Sequence, residues 1–96
     1  MSGMTHLLVC YDIPTDARRK KLHDGLGAFL ERVQFSVFEG WVSVRSHARV
    51  VRLVEDLIDR DADNVRIYRL GPGPTKIAVY GKGFEVATEP EDIIIG

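Results

Sequence analysis

One apolar run near the start of the chain constrains the fold more than any other feature. Residues 7–11 read Leu-Leu-Val-Cys-Tyr, with an apolar side chain at nearly every position. Successive side chains of a strand point to opposite faces of a sheet, so a run without alternation predicts a strand that is covered on both faces. The chain must therefore place packing partners on each side of this strand.

Two amphipathic helices are predicted to cover one of these faces. The first is expected to begin after Thr15 or Asp16 as its N-cap and to end near Arg32. Its apolar residues recur at helical spacing: Leu22, Leu26, Phe29, Leu30 and Val33. The second helix is expected to have Ser46 as its cap and to end near Arg60.

The remaining apolar segments predict strands. Residues 33–37 alternate, and the apolar parity changes after residues 38–40, which predicts a bulge or break near Gly40. Residues 65–70 and 75–80 are strand-like and are joined by a Gly-Pro-Gly-Pro turn. The order β-α-β-β-α-β predicts one α+β domain of the ferredoxin-like type over residues 1–96, a four-stranded antiparallel sheet with both helices on one face.

The last residues predict an additional C-terminal strand. Ile93, Ile94 and Ile95 follow a polar stretch, and an exposed β-branched run would be a sticky edge. Because the helices cover only one face of the sheet, we expect a second copy on the other face, giving a face-to-face homodimer. Residues 88–96 are then expected to pair with the partner subunit's sheet. Pairing of this segment within its own chain is the alternative.

Composition limits the classes of protein and of site. Cys10 is the only cysteine, which excludes an intrachain disulfide and a Cys-based zinc site. No apolar run has the length needed to cross a bilayer and the start lacks a secretion signal, so we expect a cytoplasmic protein with no membrane partner. The net charge is −1, but residues 1–54 carry +3 and residues 55–96 carry −4. A basic face can therefore form on a nearly neutral molecule.

A carboxylate and a run of cations follow the first strand. Asp12 stands at the strand end, and Arg18, Arg19, Lys20 and Lys21 stand at the expected helix start. A carboxylate can hold Mg²⁺ through oxygen, while cations and the free N–H groups of a helix start can hold nucleic-acid phosphates. The cations oppose the helix dipole and so cost some stability. The alternatives are a turn-forming aspartate and an ordinary solvated basic face.

Three linked segments resemble a known family. They are residues 11–13 (Tyr-Asp-Ile), 16–19 (Asp-Ala-Arg-Arg) and 32–39 (Arg-Val-Gln-Phe-Ser-Val-Phe-Glu). In order and spacing they are similar to the small CRISPR-associated endoribonuclease family, the second protein of spacer acquisition. The resemblance implies ferredoxin-like homodimers that bridge the CRISPR integrase around captured DNA. For several members it also implies a metal-dependent nuclease that acts on RNA or double-stranded DNA.

The resemblance also implies roles for individual residues. It makes Asp12 the metal-binding aspartate, and the other implied catalytic positions are Tyr11, Arg18 or Arg19, Arg32, Ser36 and Phe38. Together with Arg32, the four-cation run at residues 18–21 is expected to contact nucleic acid because of its position at the helix start. Two departures are visible: Glu31 stands where many relatives have glycine, and the cationic run is denser than usual, which leaves Arg18 and Arg19 as alternatives.

The resulting hypothesis is a CRISPR adaptation protein that binds duplex DNA and bridges the integrase. In its hydrolytic form, Asp12 and its symmetry mate hold Mg²⁺, because one chain supplies only one carboxylate at this place. Arg18, Arg19 and Arg32 then orient the phosphate. The alternative is a non-catalytic adaptor in which Asp12 is structural. A small-ligand regulatory domain or a toxin of the same fold is a third hypothesis, because fold does not fix function.

Overall fold

A five-stranded antiparallel sheet organises the chain. The computed structural model describes residues 3–72, 75–83 and 86–87. Its elements are β1 (Met4–Asp12), α1 (Asp16–Leu26), β2 (Glu31–Gln34), β3 (Val37–Ser43), α2 (Val44–Leu57), β4 (Asn64–Leu70) and β5 (Lys76–Gly81). The strand order is β2-β3-β1-β4-β5. The predicted α+β class is confirmed, but the sheet has five strands rather than four because β5 pairs with β4. The predicted strand at residues 93–95 lies outside the described residues.

Strand β1 is the centre of the core. Leu7, Val9 and Tyr11 are buried on the sheet face that both helices cover. Leu8 and Cys10 alternate with them and are only half-buried, because they lie on the opposite face, where no described helix packs. Within a single chain, β1 is therefore covered on one face. Cover of the other face by a second copy stays a prediction.

The first helix is shorter than its apolar spacing predicts. It ends at Leu26, and the amides of Phe29 and Leu30 both donate to the Leu26 carbonyl, which closes the chain into a turn. Leu30 still reaches the core from this turn, whereas Val33 lies on β2 and is exposed. The predicted end near Arg32 is therefore wrong. Residues 27–30 form a turn, but their apolar residues have the same spacing in sequence as the apolar face of a helix.

The predicted break near Gly40 is also wrong. Strand β3 runs without interruption through Gly40, and the chain reverses instead at residues 35–36, between β2 and β3. The register shift lies in the β2–β3 pairing, between Arg32 and Gln34. A side chain at position 40 would lie about 3.1 Å from Leu30 Cδ2, so this glycine makes room for packing rather than for a bulge.

Helix α2 begins earlier than predicted. Its N-cap is Ser43, whose hydroxyl oxygen accepts a hydrogen bond from the Ser46 amide at 3.1 Å, so Ser46 is a residue of the first turn rather than the cap. The helix ends at Leu57, three residues before Arg60. Val50 and Val54 are fully buried against the sheet, which fixes the orientation of the helix.

Candidate nucleic-acid interface and Asp12 site

Asp12 lies at the end of β1 and is exposed. In the β1–β4 register it lies directly opposite Asn64. These two residues line a cavity of about 360 Å³ together with Ala62, Lys82 and Gly83, and we call it the Asp12 cavity. The Nδ2 atom of Asn64 is buried there and has no hydrogen-bond partner among the described residues.

The Asp12 cavity has the donor set of half a magnesium site. Mg²⁺ binds through one or two carboxylates together with waters and substrate phosphate. Asp12 supplies one carboxylate, and no group of three or more His, Cys, Asp or Glu residues gathers anywhere in the described part of the chain. Lys82 adds a positive charge to the same cavity. One chain thus fits a weak Mg²⁺ half-site, which a second carboxylate from another copy would complete.

Arg18 is engaged in a buried ion pair. Its Nε and Nη2 atoms donate to the two carboxylate oxygens of Asp63, at 2.8 and 2.9 Å. The Asp63 side chain is 0% exposed and that of Arg18 is 27% exposed. This bidentate geometry holds the start of α1 against the segment that leads into β4.

Asp63 also contacts two further parts of the chain. Its Oδ2 atom accepts a hydrogen bond from the Asp59 amide at 2.8 Å, and its backbone carbonyl accepts one from the Lys82 amide at 2.7 Å. The hydrogen bonds from Arg18 lower the pKa of the Asp63 carboxyl, burial opposes them, and the Asp59 amide adds to the lowering. Because Asn64 and Lys82 line the Asp12 cavity, this network fixes the cavity's walls.

A second concave site gathers cations beside aromatic rings. Its volume is about 340 Å³, and we call it the basic cleft; it is lined by Tyr11, Asp16, Arg19, Lys20, His23, Arg32 and Phe35. Arg19 donates to the Ile13 carbonyl at 2.8 Å and also to Asp16. Three cations against one carboxylate leave the basic cleft with a net positive charge, which favours anionic ligands.

The four-cation run is divided by the geometry of α1. Arg18 contacts Asp63, whereas Arg19 and Lys20 line the basic cleft. Lys20 also pairs with Asp24 at 2.8 Å, but both side chains are largely exposed, so this pair contributes little stability. Lys21 lies beside α2 in a different hollow. Successive helix residues point about 100° apart, and the run therefore cannot act as one patch.

Tyr11 is the buried wall of the basic cleft. Burial raises the pKa of its phenol, although the nearby guanidinium groups of Arg32 and Arg19 oppose the shift. The phenol therefore stays protonated near neutral pH and is suited to donate a hydrogen bond rather than to act as a base. Its ring stacks at 6.3 Å on Phe38, which is 1% exposed and packs in the core.

The β2–β3 turn forms the outer rim of the basic cleft. The Arg32 guanidinium carbon lies 5.0 Å from the centroid of the Phe35 ring, and Arg32 Nε donates to the Gln34 carbonyl at 3.3 Å. The Ser36 carbonyl accepts a hydrogen bond from the Tyr11 amide at 3.1 Å, which fixes the turn to β1. Ser36 thus contributes its backbone carbonyl to the position of this rim.

The candidate residues do not form one site, because some line the Asp12 cavity, others line the basic cleft, and Arg18, Lys21 and Phe38 line neither. The Asp12 cavity and the basic cleft have no lining residue in common, because Tyr11 and Asp12 are neighbours on a strand and point to opposite faces. Sequence reasoning did not single out Phe35, Asp63 or Asn64. Residue 35 was predicted to lie in an alternating strand, which hid its position at a turn. Asp63 has its partner Arg18 45 residues away and gave no local signal.

No helix in the described part of the chain is both long and apolar enough to cross a bilayer.

Comparison with known proteins agrees with this architecture. The family model described as CRISPR associated protein Cas2 matches residues 4–75. A protein of Rhodospirillum rubrum named CRISPR-associated endoribonuclease Cas2 4 is 43% identical over 65 residues, which are 68% of this chain and 52% of that protein. The chain thus spans about half the length of this relative.

Two further matches cover more of both chains. The Mycobacterium tuberculosis H37Rv protein named CRISPR-associated endoribonuclease Cas2 is 37% identical over 87 residues, covering 91% of this chain and 75% of that protein. The crystal structure of a hypothetical protein from Thermus thermophilus superposes with a TM-score of 0.61 at 31% identity, covering 92% of this chain and 93% of that one. With the family model matching most of its length, this chain belongs to the Cas2 family of CRISPR-associated proteins.

Proposed function

We propose that the protein binds the phosphate backbone of nucleic acid during CRISPR spacer acquisition and bridges the integrase as a homodimer. The observation that carries the binding proposal is the basic cleft, where Arg19, Lys20 and Arg32 surround a concave surface beside the end of β1. Lys and Arg side chains that neutralise phosphates supply most of the sequence-independent affinity for duplex DNA. The relatives named endoribonucleases support nucleic acid as the ligand class.

A homodimer is proposed from the uncovered face of the sheet. On this face the side chains of Leu8 and Cys10 are half-buried, and the side chain of Trp41 is 61% exposed. A small domain gains stability when a partner covers such a surface. Asp12 lies on the same face, so a two-fold axis near the end of β1 brings two Asp12 carboxylates towards each other.

Hydrolysis is proposed as an activity of this paired site. Asp12 and the partner's Asp12 would hold Mg²⁺, which when bound supplies Lewis-acid stabilisation of phosphate charge and lowers the pKa of a coordinated water. The chain's own contribution is to orient the nucleic acid. Arg19 and Arg32 bind phosphate, and the protonated phenol of Tyr11 donates a hydrogen bond within the basic cleft.

One observation favours the non-catalytic adaptor as a second candidate. Lys82 lines the Asp12 cavity, and a cation there opposes Mg²⁺ binding while attracting phosphate. In that case Asp12 takes part in subunit or integrase assembly and the protein holds nucleic acid without cleaving it.

A cleavage assay separates the two candidates. Asp12→Ala is compared with wild type and with Asp61→Ala, which removes the same charge from an exposed position outside the Asp12 cavity. With RNA and duplex DNA substrates, the hydrolytic proposal expects Mg²⁺-dependent cleavage by wild type and Asp61→Ala, and none by Asp12→Ala. Equal cleavage by all three proteins contradicts the hydrolytic proposal. Spacer capture with the integrase by Asp12→Ala supports the adaptor.

A further inference from the structure

Phe35 occupies a position that the fold does not explain. It is 74% exposed at the β2–β3 turn, the most exposed of the large apolar side chains in the described residues. Two-residue hairpin turns favour Asn and Gly, which accept positive φ, yet no non-glycine residue in the described part of the chain has a positive φ. Neither turn chemistry nor core packing therefore requires a phenylalanine at position 35.

The backbone of the turn that carries the ring is nevertheless fixed to the sheet. The Tyr11 amide donates to the Ser36 carbonyl, so the turn is fixed to β1 immediately after Phe35. The register shift between Arg32 and Gln34 is an irregularity of the kind that redirects side chains at functional edges of sheets. An exposed ring on a fixed turn loses little conformational entropy when a ligand stacks on it.

The surroundings of the ring match one kind of ligand. Arg32 lies over the ring at 5.0 Å, and Arg19 and Lys20 line the same cleft. The cations can bind a phosphate backbone, and the exposed ring beside them can stack on a flat aromatic group that is attached to that backbone. Each nucleotide carries both a flat base and a phosphate, so one nucleotide can contact the ring and the cations together.

We infer that Phe35 stacks on an unpaired nucleobase while Arg19, Lys20 and Arg32 hold the adjacent phosphates. This inference rests on the proposed nucleic-acid binding and names the part of the ligand that the basic cleft takes. A base inside a duplex is already stacked on both faces, so the ring selects a single strand or an unpaired end of a duplex. The basic cleft then distinguishes DNA with unpaired ends from blunt DNA.

The test uses three oligonucleotides of equal strand length, and therefore of matched charge, and measures affinity by fluorescence anisotropy at fixed salt. They are a fully paired blunt duplex, a duplex whose terminal bases are mismatched and so unpaired, and that second duplex with abasic ends, which keep the phosphates but lack the bases. Wild type is expected to bind the unpaired ends about 5- to 150-fold more tightly than the abasic ends, the range for stacking of one base.

Variants at position 35 assign this preference to the ring. Phe35→Ala and Phe35→Leu should bind base-containing and abasic ends equally, whereas Phe35→Trp should keep the preference because it keeps an aromatic face. Val33→Ala is the matched control, since Val33 is exposed on the same hairpin but does not line the basic cleft. Unfolding midpoints of all variants are measured to verify that each is folded.

Each outcome has one meaning. Loss of the preference in Phe35→Ala and its retention in Phe35→Trp and Val33→Ala support the inference. Binding of all three oligonucleotides by wild type without preference for bases overturns the inference and leaves the proposed function standing. Absence of binding to any of them overturns both. A Phe35→Ala defect limited to subunit or integrase association assigns the ring to a protein contact instead and also overturns the inference.

Discussion

The buried pair of Arg18 and Asp63 gives the most quantitative prediction, which is that Asp63→Asn destabilises the fold by about 2 kcal/mol. The carboxylate accepts three hydrogen bonds, two from Arg18 and one from the Asp59 amide. Asparagine keeps one acceptor oxygen, loses the charge and turns an N–H group toward a donor. Hydrogen bonds to charged groups contribute about 1.5–3 kcal/mol each.

The geometry also sets an upper limit on the destabilisation by Asp63→Asn. Breaking a fully buried ion pair costs about 3–5 kcal/mol, because the remaining charge is left without solvent. Here the Arg18 side chain is 27% exposed and can regain water, so the loss should stay below that range. In a domain of this size, 2 kcal/mol corresponds to a decrease of about 8–16 °C in the unfolding midpoint.

Urea unfolding of wild type and Asp63→Asn measures the difference, and both are kept at equal protomer concentration because the stability of the proposed homodimer would depend on it. Asp61→Asn is the control, because Asp61 is exposed in the same segment and should change stability by less than about 0.5 kcal/mol. Equal stability of wild type and Asp63→Asn would refute the structural role of the pair.

The pH dependence provides an independent check. The hydrogen bonds from Arg18 hold the pKa of Asp63 below its usual range in the folded state. The stabilisation is therefore complete above about pH 4, the ordinary aspartate pKa, and is lost as the pH falls through the lower folded value. The difference between wild type and Asp63→Asn should be constant from neutral pH to about pH 5 and narrow below pH 4. A difference that persists in strong acid would contradict the assignment.

Three further variants test other parts of the structure. Gly81→Ala should destabilise the fold by at least about 2 kcal/mol in thermal unfolding, because Gly81 has φ +83° and an added Cβ would lie against the Asp63 carbonyl. Trp41→Glu should shift sedimentation from dimer to monomer if the uncovered sheet face is the subunit interface. Arg19→Gln with Lys20→Gln should reduce the slope of log affinity against log salt for duplex DNA by about 2, whereas Arg52→Gln on α2 should not change it.

The elements that sequence analysis predicted correctly are those whose burial follows from the pattern of neighbouring residues in the sequence. Strand β1 and the start of α1 follow from the apolar run at residues 7–11 and from Thr15, which is the N-cap. Strands β4 and β5 follow from β-branched runs on either side of glycine and proline. In each case a side chain's neighbours in sequence determine whether it faces the core.

The elements that were predicted wrongly depend on contacts distant in sequence. Leu30 continued the apolar spacing of α1 although it reaches the core from a turn, and it also explains Gly40, ten residues later. The partner of Arg18 is 45 residues away, so no local pattern could separate Arg18 from Arg19. The family resemblance left these two arginines as alternatives. The structure shows that only Arg19 of the two lines the basic cleft.

The opposite orientations of Tyr11 and Asp12 make a last prediction about how binding and hydrolysis combine. Arg32→Gln removes a cation from the basic cleft, and Asp12→Ala removes the carboxylate of a cavity that shares no residue with it. Effects of substitutions at independent sites add within about 0.3–0.5 kcal/mol. In anisotropy measurements on one duplex, the change in binding free energy of the double variant should therefore equal the sum of the changes in the single variants. A deviation from additivity larger than this would mean that one phosphate contacts both the basic cleft and the Asp12 cavity. Such a contact requires the nucleic acid to pass around the end of β1. In that case the basic cleft and the Asp12 cavity act as a single site.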